Sequence, residues 1–248
     1  MSIKVTIITV VKNDEKFILR TLNSIEKQNY NNIEHIIIDG KSTDHTFSKI
    51  KSFKKKNQII ISEPDLGIYD AMNKGIKLAS GDIIAFCNSG DLIKKRGIAL
   101  IVNYFEENKD LDFLFAGVWR FYKGSKIKKN TFSPKRIHYN FDCYTAHSTG
   151  FYIKKTSQNK LGFYNLDFKC SADYDLFYRM IVKMKMTGLC TKKNEIVGLV
   201  KSGGFSSKFT YLDHLIEETR IRIHNQQNII WVTLIFLTHY FKNLKKIF

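Results

Sequence analysis

GDIIAFCNSGD, residues 81–91, opens as an apolar, β-branched run and stops abruptly in Asn88, Ser89, Gly90 and Asp91. Its first half reads as a strand covered on both faces, because the apolar residues run on without alternation. Its second half has two readings. Asn, Ser, Gly and Asp favour turns, since they hydrogen-bond their own backbone or tolerate unusual dihedral angles, and the segment could be a turn and nothing more. Alternatively, a lone acid placed at a strand end is there to hold a metal, and Asp91 is that acid.

Three earlier stretches repeat the pattern: IKVTIITVV (3–11), IEHIIID (33–39) and QIIIS (58–62). Between the first two, Ile18, Leu22 and Ile25 recur at helical spacing after Asn13 and Asp14, both good helix-start residues. IYDAMNKGIKLAS (68–80) supplies a second helical connection, ahead of the fourth strand. The alternation predicts a mostly parallel α/β sheet with helices on both faces. In such a sheet ligands gather beyond the carboxyl ends of the strands. Here those ends run into KNDE, Asp39 with GKSTD, SEPD and NSGD, so acids and amides converge on one rim.

Beyond about residue 110 the strand signals weaken to FLFAGVW (113–119), TGFYI (149–153) and EIVGLV (195–200). KGSKIKKNTFSPKR (123–136) carries six basic and no acidic residues, and reads as a solvated hairpin or loop before it reads as a binding patch.

The 248 residues, 44% of them hydrophobic, can bury a substantial core. Forty Lys and Arg against 23 Asp and Glu give a net charge of +17, which points to an acidic partner: nucleic acid, anionic lipid or a phosphorylated small molecule. Cys87, Cys143, Cys170 and Cys190 are widely spaced, with no C-x-x-C pair, and read as reduced thiols of a cytoplasmic protein whose N-terminus lacks a signal-peptide cleavage site. Strand one is followed by VVKNDE rather than the G-x-G-x-x-G turn of a dinucleotide oxidoreductase.

Four segments in order, TIITVVKND (6–14), TLNSIEKQNYNNIEHIIIDGKSTDHT (21–46), DLGIYDAMNKGIKLASGDIIAFCNSGD (65–91) and SADYDLFYRM (171–180), resemble family 2 of the inverting nucleotide-sugar glycosyltransferases, which have the GT-A fold. The resemblance implies a Rossmann-like central sheet. It makes residues 1–110 the nucleotide-sugar-binding half, 111–225 the acceptor and catalytic half of the same domain, and 226–248 a tail. By the same resemblance Thr9, Val11, Asn13, Asp39 and Asn88 bind the donor, a UDP-, GDP- or dTDP-sugar, with Asp39 accepting a hydrogen bond from the base.

Family members commonly carry D-x-D or D-x-D-D where this chain has NSGD. One acid suffices for Mg2+ or Mn2+, because such ions keep waters and take the diphosphate's own oxygens. Gly90 would then let the backbone approach the diphosphate. Of the pair in ADYDLF, residues two apart on a helix face different ways, so only one addresses the cleft. The resemblance makes it Asp173, the base that deprotonates the acceptor hydroxyl, and leaves Asp175 as a helix N-terminal acid. His147, in TAHSTGF, belongs to the acceptor side or the metal side, with a structural role as the alternative. Asp44 reads as a cap or turn residue of the following helix, while Lys12, Lys41, Asp70 and Lys74 lie in the matched segments without an assigned role.

The final NIIWVTLIFLTHYFKNLKKIF (228–248) is apolar for about thirteen residues and then basic, too short as a helix to cross a bilayer. It suits an anionic membrane surface, or docking on its own domain. The expected function is therefore an inverting, metal-dependent transfer of sugar to a hydroxyl of a growing glycan of a surface polysaccharide (O-antigen, capsule or exopolysaccharide), with a lipid-linked acceptor, in the cytoplasm or peripheral on the inner face of the membrane. The alternative is a basic nucleic-acid-binding α/β module. It predicts a concentrated basic stripe with interleaved aromatics, whereas the Lys and Arg here are scattered.

Overall fold

The computed structural model describes residues 2–122, 125–129 and 147–247. Cys143 and most of the basic run 123–136 lie outside the described residues. Four strands, β1 (Val5–Val11), β2 (Ile33–Asp39), β3 (Gln58–Ser62) and β4 (Ile83–Phe86), are parallel neighbours in the order β3-β2-β1-β4. β1, flanked on both sides, is buried along its whole length, which explains its unbroken apolar run. α1 (Ile18–Glu26), α2 (Thr46–Phe53) and α3 (Ile68–Leu78) make the crossovers. Ile18, Leu22 and Ile25 do form the buried face of α1.

The second half of the chain extends the same sheet. After a short β5 (Leu92–Ile93) and α4 (Gly97–Glu107) come β6 (Phe113–Phe115), β7 (Gly117–Tyr122), β8 (Ser125–Lys129), β9 (Phe151–Lys154) and α5 (Lys155–Leu161). β9 slots antiparallel between β4 and β6, and β10 (Gly188–Cys190) adds parallel to β6 at the far edge. The main sheet thus has seven strands in the order β10-β6-β9-β4-β1-β2-β3, mixed but mostly parallel. A second sheet of four, β5-β11-β7-β8, is completed by β11 (Ile196–Val200).

FLFAGVW is therefore two strands in two different sheets, divided at Ala116. The cause is non-local: a Cβ on Gly150 would come within 2.4 Å of the Ala116 carbonyl, so the β9 turn packs directly on the break. Within the basic run, residues 125–129 are β8, paired antiparallel with β7.

The remaining helices follow in the last third of the chain. α6 (Ala172–Tyr178) continues into a π-helical turn (Arg179–Lys183), and its Leu176 and Phe177 are buried in the core beside Phe115 and Phe151. α7 (Tyr211–His224) starts with a reciprocal cap between Thr210 and Asp213. α8 (Ile229–Lys242) packs on α7 through a narrow face, with Val232 buried, and leaves Ile229, Ile230, Trp231, Leu234, Leu237 and Phe241 exposed. Among the described residues no helix is long and apolar enough to cross a membrane.

Candidate active site at the strand ends

Register fixes the rim. Val11, Asp39 and Ser62 stand side by side at the carboxyl ends of β1, β2 and β3. Beyond β1 and β4 opens a cleft of about 1220 Å3, closed on its other side by α3, α6 and α7 and by the residues after β11.

NSGD is a true turn and also carries a buried acid. The Asp91 N–H bonds the Asn88 carbonyl at 2.9 Å, and Gly90 adopts φ +95°, a value that side chains disfavour. The Thr21 hydroxyl of α1 accepts from the Gly90 N–H and donates to the Asp91 carbonyl, while Ser89 donates to Asp14, so α1 and its approach clamp the turn from behind. Asp91 is thereby held on the cleft wall and only 4% exposed. Its Oδ2 accepts from the Thr149 hydroxyl at 2.6 Å and its Oδ1 from the Lys201 N–H at 2.9 Å. Burial drives its pKa up to about 6, opposed by these two bonds and by the charges of Lys201 and Arg120.

The His147 Nδ1 lies 3.7 Å from the Asp91 Oδ2 and accepts from the Thr149 N–H at 3.3 Å. The Asn88 amide donates to Ser148, and its buried Oδ1 has no hydrogen-bond partner among the described residues. A buried acceptor without a donor is costly.

Gly90 packs under a side chain from the other sheet. A Cβ there would lie 2.5 Å from Cδ of Lys201, whose stem crosses the turn. Gly90 makes room for Lys201, and the Lys201 Nζ then reaches Asp14 at 3.3 Å and the face of Phe17 at 3.7 Å.

Asp173 and Asp175 part company, as their spacing on a helix requires. Asp173, in the first turn of α6, lines the cleft, and its Oδ1 accepts from the Tyr69 hydroxyl at 3.3 Å and the Tyr174 N–H at 2.9 Å. Burial, followed by the Asp173 charge, holds the Tyr69 phenol protonated, well above its ordinary pKa, so it remains a donor. The loop before Asp173 is fixed by Glu217 of α7, whose buried carboxylate accepts three successive N–H groups, from Lys169, Cys170 and Ser171. Asp175 is 1% exposed and faces inward, pairing with the Arg179 Nε at 2.8 Å and the Asn225 Nδ2 at 2.9 Å. It is a buried ion-pair residue rather than a simple dipole partner.

The residues expected on the donor side fall into two groups. Val11, Asn13 and Asn88 line the cleft together with Asp91 and His147. Asn13 sits at φ +50°, its Oδ1 bonded to the Thr43 N–H, and the chain turns here before α1 begins at Ile18; Asn13 and Asp14 line the cleft instead of capping that helix. Thr9 and Asp39 point elsewhere. The Thr9 hydroxyl is fully buried 3.0 Å from the His35 Nε2, and the Asp39 carboxylate, also fully buried, accepts from the Ser42 N–H and from the hydroxyls of Ser42 and Ser62. Asp39 ties the β2 rim loop together, and Asp65 is the carboxylate that reaches the cleft beside Gly40, its Oδ1 bonded by the Gly67 N–H and 3.8 Å from Lys12.

Sequence reading assigns no site role to Asp65, Tyr69, Arg120 or Lys201, and reads Asp14 only as a helix-start residue, yet all five are on the cleft wall. Asp70 and Lys74 pair with each other at 3.3 Å, and Lys74 also with Glu63, fastening α3 to the loop before it. Asp44 bonds the Thr46 N–H at the start of α2.

A divalent ion at this corner finds one carboxylate and one imidazole, and among the described residues no group of three His, Cys, Asp or Glu stands together to hold an ion unaided. The set fits an ion that arrives with diphosphate oxygens and water as its other ligands.

The profile of Glycosyl transferase family 2 matches residues 6–171. An uncharacterized glycosyltransferase of Mycobacterium tuberculosis is 43% identical over 88 residues, 35% of this chain, and the match spans about a third (34%) of that relative's length. A PGL/p-HBAD biosynthesis glycosyltransferase of the same organism is 27% identical over 194 residues, 72% of each chain. Among solved structures, Staphylococcus aureus TarS 1–349 in complex with UDP-GlcNAc superposes with a TM-score of 0.74 at 18% identity, covering 97% of this chain and 73% of that one. The mannosyltransferase PcManGT of Pyrobaculum calidifontis, in complex with GDP-Man and Mn2+, gives 0.69 at 14% identity, with 97% and 70% covered. At these identities the superpositions establish the shared GT-A fold. A family match over more than half its length shows that this chain belongs to glycosyl transferase family 2.

Proposed function

We propose that the protein is an inverting glycosyltransferase that moves a sugar from a nucleotide-sugar donor to a hydroxyl of a growing cell-surface glycan. One observation carries this reading: Asp173 and Asp91, held by unrelated elements and bonded in unrelated ways, line the same cleft at the carboxyl ends of the parallel strands. Asp173 takes the proton of the acceptor hydroxyl as that oxygen bonds to the anomeric carbon. The bond from that carbon to the diphosphate breaks in the same displacement, and its electron pair leaves with the nucleoside diphosphate. Tyr69 holds the Asp173 carboxylate in place by its hydroxyl. Asp91, with His147 beside it, would hold Mg2+ or Mn2+, which when bound supplies positive charge against the leaving diphosphate. Val11, Asn13 and Asp65 line the donor side, and the unpaired Asn88 Oδ1 accepts a donor hydroxyl.

Structures of TarS with UDP-GlcNAc and of PcManGT with GDP-Man and Mn2+ support the donor class and the metal. The relative named for PGL/p-HBAD biosynthesis supports a cell-envelope glycan. A lipid-linked acceptor, and attachment to the inner face of the membrane, follow from α8: its exposed Ile230, Trp231 and Phe241 stand on a helix that ends in Lys242, with Lys245 just beyond. Family membership leaves the nucleic-acid-binding alternative without support.

The test is thermal unfolding with a panel of UDP-, GDP- and dTDP-sugars with and without Mn2+. One donor class should raise the melting temperature progressively with concentration, because a ligand that binds only the native state stabilises it by mass action. A melting temperature indifferent to every nucleotide sugar refutes the reading.

A further inference from the structure

The charge around Asp91 is wrong for a site that collects bare metal ions. Arg120 of β7 stands opposite Val200 in the β7–β11 register, which brings it next to Lys201, and both side chains line the cleft with Asp91. The Arg120 Nε is buried and has no hydrogen-bond partner among the described residues. Lys201 is tethered, with its N–H on Asp91 and its Nζ near Asp14. Against Asp91 and Asp14 these two cations leave no net negative charge to draw in a divalent ion that arrives alone. The Arg120 guanidinium, with its Nε still lacking an acceptor among the described residues, suits an anion with several negatively charged oxygens, since a planar guanidinium matches phosphate oxygens in bidentate fashion.

We propose that Arg120 and Lys201 bind the donor's diphosphate directly, so that the protein holds the nucleotide without metal and takes up the metal only together with the diphosphate. This rests on the reading of the cleft as a nucleotide-sugar site. It assigns the leaving group two protein cations in the place where relatives of the D-x-D type have more acids, and it gives the unpartnered Arg120 Nε its acceptor. As the sugar–oxygen bond breaks, the charge that grows on the diphosphate falls against these cations.

The experiment is equilibrium dialysis of the full chain against radiolabelled UDP, GDP and dTDP, each with Mn2+ or with EDTA, and against Mn2+ alone. The wild type should retain one nucleoside diphosphate in EDTA and retain no Mn2+ without nucleotide. Arg120→Gln should weaken the EDTA affinity about 10- to 100-fold, as expected for losing a charge-assisted contact. Arg120→Lys should restore part of it, and Lys201→Gln should weaken it while its backbone N–H still serves Asp91. The EDTA arm separates direct contact from an effect through Asp91, which would show only with metal. Melting temperatures establish that the variants fold. Unchanged EDTA affinity in folded Arg120→Gln and Lys201→Gln overturns the proposal and spares the transferase reading, as does wild-type binding that vanishes in EDTA. Failure of all three nucleotides, with or without Mn2+, removes both.

Discussion

Exchanging Asp173 and Asp175 for Asn, one at a time, separates chemistry from architecture within three residues. Asp173→Asn preserves size and leaves the Tyr69 hydroxyl an oxygen to bond, but it removes the proton acceptor. General-base catalysis contributes roughly 10²–10⁴-fold, and turnover should fall by that factor while nucleotide affinity, which rests on other residues, is unchanged. Asp175→Asn acts on stability instead. Removing one partner of a fully buried ion pair costs about 3–5 kcal/mol. The cost here is smaller, about 2–3 kcal/mol, because Asn still presents an oxygen and Arg179 is 23% exposed and keeps the carbonyls of Leu161 and Phe163. At roughly 2–4 °C per kcal/mol for a chain of this size, the melting temperature should drop by about 4–12 °C. Well below that midpoint, turnover per folded molecule should match the wild type. The assays are steady-state transfer to a hydroxyl acceptor with the donor chosen by stabilisation, nucleotide binding, and calorimetric unfolding. If Asp175→Asn abolishes turnover in folded protein, or if Asp173→Asn retains full turnover, the base has been misplaced.

Asp91→Asn should remove the gain in nucleotide affinity that Mn2+ produces and leave the EDTA affinity nearly intact, measured by the same dialysis; equal gains in both proteins would return NSGD to being a turn alone. Glu34 governs part of the acid stability. Burial raises its pKa, but bonds from the Ser80 N–H and hydroxyl, the Thr6 hydroxyl and Lys4 outweigh it and bring the pKa down to about 2. The stability they contribute is complete above the unfolded value near 4.5 and is lost as pH falls from there through about 2. Discounted for solvent screening this is about 1–2 kcal/mol, so the stability of Glu34→Gln, followed by urea unfolding between pH 6 and pH 3, should decline less steeply than the wild type. On α8, Ile230→Glu with Trp231→Glu alters two exposed side chains and should cut binding to phosphatidylserine vesicles by on the order of 10-fold or more without changing the melting temperature; undiminished co-sedimentation refutes the membrane assignment.

What the sequence makes legible follows from how local each cause is. β1 to β4 are visible because each is a self-contained apolar run, and the rim is visible because parallel strands must present the same end. The same full burial hides which way a given residue points, since a strand covered on both faces lacks the alternation that would mark them. That is why Thr9, at the right place along β1, turns out to face His35, and why Asp39 proves to be bonded into its own loop. The turn at Asp91 and the helix start at Asp173 are readable because both are local features, while the choice of Asp173 over Asp175 rests on the family resemblance. Arg120 and Lys201 are not readable, because nothing in VWR or LVK marks a binding residue. They reach Asp91 only when β7 and β11 pair across some eighty residues and β11 delivers Lys201 to a turn 110 positions earlier in the chain. The NSGD turn, with its one acid, thus shares the cleft with two cations brought by a different sheet, Arg120 on β7 and Lys201 just after β11. A chain that restored Asp at positions 88 and 90 without losing Arg120 and Lys201 would pair those cations with its own carboxylates, collapse the φ +95° turn onto the Lys201 stem, and bind nucleotide less well in EDTA than the natural sequence.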